Sequence, residues 1–293
     1  MSVIEKIGNT RLLALPFLGA NVYAKIESDN PFGSIKDRAA FFMIQGLIEK
    51  KGSKDFVIVE ATSGNTGIAA SAICRELGIR IIIVMPESMS AERRNMIEEY
   101  GAELVLTKKE DGMLGSVRQA EEIRRKIKGS VSLNQFSNPD NARSHYETTA
   151  PEILSALPSI SVFVSAFGTG GTVSGCARFF KEKKKDFYVV AAEPDESPLL
   201  TKGYSGSHRI QGIGANFIPE NLDVSLIDEF VTVKEDDAIN MARLLNDMGY
   251  PAGLSSGANA CAAKMLASRW KEKNVVTVFP DSAERYKSTG LFS

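Results

Sequence analysis

The sequence predicts an α/β protein whose parallel sheets are flanked by helices. Three observations carry this. Short β-branched runs alternate with helix-period patterns over most of the 293 residues. The helical patterns stop at glycines, and turns rich in Gly, Ser and Thr open helices. Strands are expected at 56–60, 80–85, 103–107, 161–167, 187–193 and 275–279. Such alternation means parallel strands joined by crossover helices.

The first helix begins near Lys36. Ser34 and Asp37 have the spacing of a capping box, Ala40, Met43, Ile44, Leu47 and Ile48 repeat at helical intervals, and Gly52 is the stop. Later helices are expected to end after Leu77 at Gly78, after Tyr100 at Gly101 and after Met248 at Gly249. No internal repeat or low-complexity linker divides the chain. A boundary is expected near 134–145, where Asn138, Pro139, Asp140 and Asn141 interrupt the pattern.

A hydrophobic fraction of 43% and a net charge of −1 describe an ordinary globular chain and argue against a nucleic-acid partner. The lysine run at 181–185 reads as the solvated end of a helix. Cys74, Cys176 and Cys261 lack paired spacing, so neither a disulfide framework nor a metal site is expected, and each reads as a core filler in a helix. The N-terminus has no apolar signal region, and no run of about 18 apolar residues appears, so no membrane partner and a cytoplasmic location are expected.

Four features carry the chemistry. Lys36, in the first turn of its helix, faces the positive end of the helix dipole, which favours its neutral amine, and a neutral amine attacks carbonyls. From that segment alone, an ordinary solvated lysine is an equal reading. Thr62, Ser63, Gly64, Asn65, Thr66 and Gly67 lie between a strand and a helix, where N–H groups and hydroxyls suit a carboxylate or merely cap a turn. Gly168, Thr169, Gly170, Gly171 and Thr172 let several N–H groups converge as in a phosphate nest. Val173 spoils a dinucleotide fingerprint, although Glu193 at the end of the next strand keeps a nicotinamide-dependent dehydrogenase as a rival. Gly253, Leu254, Ser255, Ser256 and Gly257 form a hydroxyl-bearing loop that leads into a helix. Together these suit a phosphorylated aldehyde and an amino-acid substrate, and pyridoxal 5'-phosphate fits that set.

At these residues the chain resembles the cysteine synthase family of pyridoxal-phosphate enzymes, the tryptophan-synthase-β-like fold type II. The likeness runs in order from 7–10 through the segments at 30–40, 60–67, 85–90, 168–172, 210–214 and 254–257 to 281–286. The stretches at 109–113 and 135–141 look like the B-type enzymes, whereas 168–172 and 211–214 look like the A-type. The resemblance implies two domains, each a mostly parallel sheet flanked by helices: a larger cofactor-binding one from 1–36 and 147–293, and a smaller mobile one at 37–146. It implies that Lys36 forms the internal aldimine, Asn65 meets the ring hydroxyl, residues 168–172 hold the phosphate and Ser255 meets the pyridine nitrogen. Thr62, Ser63, Gly64, Thr66 and Gln135 would bind the substrate carboxylate.

A neutral Ser255 would not keep the ring protonated, which favours β-elimination over transamination. The implied reaction is β-replacement, O-acetyl-L-serine plus sulfide giving L-cysteine plus acetate through an α-aminoacrylate. O-phosphoserine sulfhydrylase, with Arg209 beside His208 as the phosphate's cation, and a core-only cystathionine β-synthase are the nearest alternatives. A non-catalytic binding homologue is the alternative of another class. A homodimer is expected by analogy, and a serine acetyltransferase is a partner that the resemblance admits.

Overall fold

A computed structural model describes residues 2–62 and 64–292. The strands are β1 (Leu12–Ala14), β2 (Val22–Ile26), β3 (Val57–Ala61), β4 (Arg80–Pro86), β5 (Glu103–Thr107), β6 (Ile160–Ala166), β7 (Tyr188–Pro194), β8 (Glu229–Val233) and β9 (Asn274–Phe279). The helices are α1 (Lys36–Lys51), α2 (Asn65–Leu77), α3 (Ala91–Glu99), α4 (Gly112–Lys126), α5 (Pro139–Ser144), α6 (Ala150–Ala156), α7 (Gly171–Lys183), α8 (Leu199–Lys202), α9 (Glu235–Asp247) and α10 (Leu254–Arg269). All six expected strands are present, each within a residue of its expected ends.

The strands form two sheets. One has the order β1-β2-β9-β6-β7-β8, parallel except for the antiparallel β1 edge, and the other is the parallel run β3-β4-β5. That six-strand order is not the 3-2-1-4-5-6 of a dinucleotide-binding sheet. Glu193 is also engaged, because its carboxylate accepts from the backbone N–H groups of Leu200 and Thr201 and from the Thr201 hydroxyl at the start of α8. The dehydrogenase reading therefore loses its ribose-binding acid.

Both sheets are covered on both faces, which is why their strands read as unbroken apolar runs. In β4, Ile81, Ile83 and Met85 face one core while Ile82 and Val84 face another. In β6, Val162 and Val164 join the cluster under α9 and α10, while Phe163 packs on the opposite face with Phe180 of α7. Each such Ile, Val or Phe stabilises by roughly 1.5–3 kcal/mol through burial.

Strands β1, β2 and β8 carry no clear signal in the sequence. In β2 the reason is Lys25, which is only 2% exposed in a buried strand. Its ammonium lies 2.7 Å from Glu152, and the guanidinium of the fully buried Arg38 bridges Glu27 and Glu152 at 2.6–2.9 Å. Burial alone would push the Glu152 carboxyl up, but Arg38 and Lys25 outweigh it and hold the pKa at about 2. Buried charges persist only when paired this completely.

The proposed boundary at 134–145 contains α5, capped by the Asn138 side chain with Pro139 in the first turn, so the interruption is a helix start. Cys74 and Cys176 are buried in α2 and α7, and Cys261 is half-buried in α10. Lys184, just past α7, donates to the carbonyls of Pro158 and Ile160 at 2.6 and 2.5 Å, so the basic run is partly tied down. Among the described residues no helix is long and apolar enough to cross a membrane, and no cluster suits a metal ion.

Candidate active site

Lys36 is the first residue of α1. The helix starts as expected and ends at Gly52, whose φ of 65° lets it close the last turn. Its cap differs from the predicted box. The Ser34 hydroxyl accepts from the Lys36 N–H at 3.2 Å, while the Asp37 carboxylate reaches back to the N–H of Phe32 at 2.7 Å, not to that of Ser34. Burial pushes the Asp37 carboxyl up to about 8. The turn is anchored to the large sheet because the Ile35 N–H donates to the carbonyl of Pro280, just beyond β9.

The Lys36 amine is pushed towards its neutral form. Desolvation lowers its pKa, opposed by the charge of Asp281. It also acts electrostatically on His145, which desolvation, Arg38 and Lys36 together hold well below its ordinary pKa and hence neutral. Asp281 and His145 in turn touch the predicted loops. The Asn65 amide donates to Asp281 at 2.7 Å, and His145 Nε2 lies 3.2 Å from the Thr172 hydroxyl. Asp281 also bridges Ser34, two residues before Lys36, so the start of α1 and the Asn65 end of the 62–67 loop meet at one carboxylate.

The 168–172 loop joins β6 to α7 and is closely packed from behind. A Cβ on Gly168 would fall 2.2 Å from the Gly212 carbonyl, and one on Gly171 would fall 2.1 Å from the Asn141 amide oxygen. Gly170 has a φ of 81° and lies against the Leu222 backbone. Thr169 is buried and accepts from Asn141 at 3.0 Å. The first N–H groups of α7 have no intrahelical acceptor by helix geometry, so they are available to an anion.

Thr62 follows β3, and Gly64 caps α2, which begins at Asn65. The Thr66 hydroxyl donates to the Gln135 side-chain oxygen at 2.7 Å. Gln135 is held by its carbonyl, which accepts from Asn141 at 2.7 Å and Asn221 at 2.8 Å. Ser63 lies outside the described residues.

The Ser255 loop joins α9 to α10, following the helix that stops at Gly249 and opening the next. Ser255 reaches the site because α10 starts against the end of β9: the Gly253 N–H donates to the Asp281 carbonyl at 2.9 Å, and the Ser256 hydroxyl does so at 3.2 Å. Ser255 is 3% exposed in the first turn.

Four helices, α1, α2, α7 and α10, therefore present their N-terminal ends to one place. Their summed dipoles suit an anionic, phosphorylated group, and an amine-reactive aldehyde would meet a lysine already tuned towards nucleophilicity. The residues present fit pyridoxal phosphate. Outside this set, the Arg209 guanidinium is paired with Glu235 and Asp236 at the start of α9, which leaves it occupied rather than aimed at a substrate. Asp281 and Asn141 lie in segments that carry the resemblance, but no role for them, or for His145 and Asn221, is read from the sequence, because their relevance is a matter of spatial neighbours.

A family model described as pyridoxal-phosphate dependent enzyme matches residues 3–281. The chain is 51% identical over 293 residues to cysteine synthase B of Campylobacter jejuni, covering 99% of this chain and 98% of that protein. The crystal structure of cysteine synthase from Entamoeba histolytica is similar with a TM-score of 0.95 at 37% identity, covering 99% of this chain and 90% of that one. A hydrogen sulfide-producing enzyme from Fusobacterium nucleatum has a TM-score of 0.92 at 42% identity, with 97% of each chain covered. With a family match over nearly its whole length and a donor set that suits the same cofactor, the chain belongs to the pyridoxal-phosphate-dependent enzymes.

Proposed function

We propose that the chain is a cysteine synthase that replaces the acetate of O-acetyl-L-serine with sulfide, giving L-cysteine and acetate. The observation that carries this is the junction at Asp281, which joins the turn before Lys36, the Asn65 end of the 62–67 loop and the Ser255 loop, with the Lys36 amine pushed towards its neutral form by desolvation. Similarity to cysteine synthases over nearly the full chain supports the choice of reaction.

In this reading Lys36 holds the cofactor, Asn65 meets its ring hydroxyl, and Ser255 meets its pyridine nitrogen. Gly168, Thr169, Gly170, Gly171 and Thr172 hold its phosphate. When bound, pyridoxal phosphate supplies an electron sink for the pair left when the substrate Cα loses its proton. Thr62, Ser63, Gly64, Thr66 and Gln135 hold the substrate carboxylate and so orient the Cα–H bond. Lys36 would be the base that removes the Cα proton and the acid that later returns it. A neutral Ser255 at the ring nitrogen would not hold a proton there, which would favour loss of the β-substituent, here acetate, over transamination. Sulfide then bonds to Cβ.

Residues 37–146 form the smaller, moving part and the rest of the chain the larger. The separate cores of the two sheets support two parts, with Ile4 and Phe32, ahead of α1, packed into the core of the smaller one. Closure of the 62–67 loop on the substrate excludes water. A homodimer, a cytoplasmic location and docking of a serine acetyltransferase complete the proposal. The paired state of Arg209 favours O-acetylserine over O-phosphoserine as donor.

The test is turnover with the purified holoenzyme. The wild type should be yellow and form cysteine from O-acetylserine and sulfide, and Lys36→Ala should melt like the wild type yet form none. A wild type that takes up pyridoxal phosphate but makes no cysteine from this pair would overturn the proposal.

A further inference from the structure

Asp281 has no role in the chemistry above, yet it is the group on which the site converges. Its carboxylate is 2% exposed, beyond the end of β9. One oxygen, Oδ2, accepts from the Asn65 amide at 2.7 Å and from the Tyr286 hydroxyl at 2.8 Å. The other, Oδ1, is buried with no hydrogen-bond partner among the described residues. The backbone is pinned as well: Asp281 bridges Ser34 ahead of α1, and its carbonyl receives the Gly253 N–H and the Ser256 hydroxyl of α10. Gly253 has no side chain for a steric reason, since a Cβ there would fall 2.0 Å from Oδ1.

We infer that Asp281 is a positioning residue that fixes the Asn65 amide, with its remaining N–H turned towards the bound cofactor. This rests on the assignment of Asn65 to the ring hydroxyl. An amide left to itself rotates and can present either its oxygen or its nitrogen. Once one N–H is committed to a carboxylate, the oxygen and the second N–H have defined directions. The carboxylate can hold that bond because it belongs to the large sheet while Asn65 opens α2 beside the small one, so the clamp spans the two halves. Tyr286 steadies it from the far side and is itself buried. Burial pushes the Asp281 carboxyl up in pKa, against the lowering effect of Tyr286 and Asn65.

The test is a double-mutant cycle on cofactor retention, read as the pyridoxal phosphate dissociation constant and as the circular dichroism of the cofactor band, which reports ring orientation. Asn65→Ala and Asp281→Ala should each weaken retention by about 5- to 10-fold and reduce the band, and the double variant should be within about 2-fold of Asn65→Ala alone. Asp281→Asn, which keeps an acceptor oxygen, should restore the band. Gly253→Ala, which drives a methyl into the carboxylate, gives a second route if Asp281→Ala does not fold, and its effect should likewise vanish in the Asn65→Ala background. Effects that multiply in the double variants, or an unchanged cofactor band in Asp281→Ala, would overturn the inference while leaving Asn65 in place. Unchanged retention in Asn65→Ala would overturn the Asn65 assignment and the inference with it.

Discussion

The loops at 168–172 and 62–67 both run from the end of a parallel strand into a helix, but they are built differently. Behind the first, the protein fills every space: Gly168, Gly170 and Gly171 each meet a neighbour within 3 Å of where a Cβ would stand. In the second, no described atom lies within 4 Å of a Cβ placed on Gly64. One loop is clamped by Gly212, Leu222 and Asn141; the other has space at Gly64, although at Gly67, where it enters α2, a Cβ would fall 3.0 Å from the Thr62 side chain. On the proposed assignment of the two loops, similar turn chemistry serves two tasks. A phosphate that never leaves needs a rigid cradle, and a carboxylate that comes and goes needs a surface able to close on it.

The sharpest way to break this comparison is Gly170→Ala. A side chain there meets the Leu222 backbone at 2.7–2.8 Å in a left-handed conformation. We expect roughly 2–5 kcal/mol of destabilisation, seen as a lowered melting temperature together with loss of cofactor on dialysis. A variant that melts and binds as the wild type would show the cradle to be soft. Thr172→Ala tests the cradle's side-chain donor and should cost about 1–3 kcal/mol of cofactor affinity by equilibrium titration, with little change in melting.

On the open loop, Thr66→Ala removes the hydroxyl that donates to Gln135 at 2.7 Å. It should raise the KM for the amino-acid donor by about 5- to 10-fold in steady-state assays while leaving cofactor affinity alone. The smallest effect is expected from Gly64→Ala, whose melting should stay within about 0.5 kcal/mol of wild type. A large loss of stability there would mean that the open loop is clamped after all.

Much of the fold was legible because its strands are covered on both faces and flanked by helices with glycine stops. The run 81–85 is wholly interior, and Gly78, Gly101 and Gly249 take the positive φ expected of a residue that ends a helix. Strand β2 was illegible because Lys25 lies in its middle, and only the Glu152 and Arg38 network makes a buried lysine tolerable. The capping-box reading of Ser34 and Asp37 is corrected: Ile35 precedes α1 without a side-chain cap, the Ser34 hydroxyl accepts from Lys36, and the Asp37 carboxylate goes to Phe32. Spacing names the atoms within reach but does not choose between neighbouring N–H groups.

By itself the sequence determined which residue types could do the chemistry: a lysine at a helix start, a glycine-rich anion loop, a hydroxyl-rich turn and Ser255, with the resemblance in the order of these segments supplying the reaction. Those properties are local, set by side-chain chemistry and backbone freedom over a few residues. Only the tertiary structure decided that the Ser255 loop meets the chain just beyond β9, that His145 stands beside Thr172, and that Asp281 holds Asn65 across the two halves. Asn65 and Asp281 are 216 positions apart in the chain. No spacing rule connects such residues, because their contact arises from where two sheets and four helix ends pack.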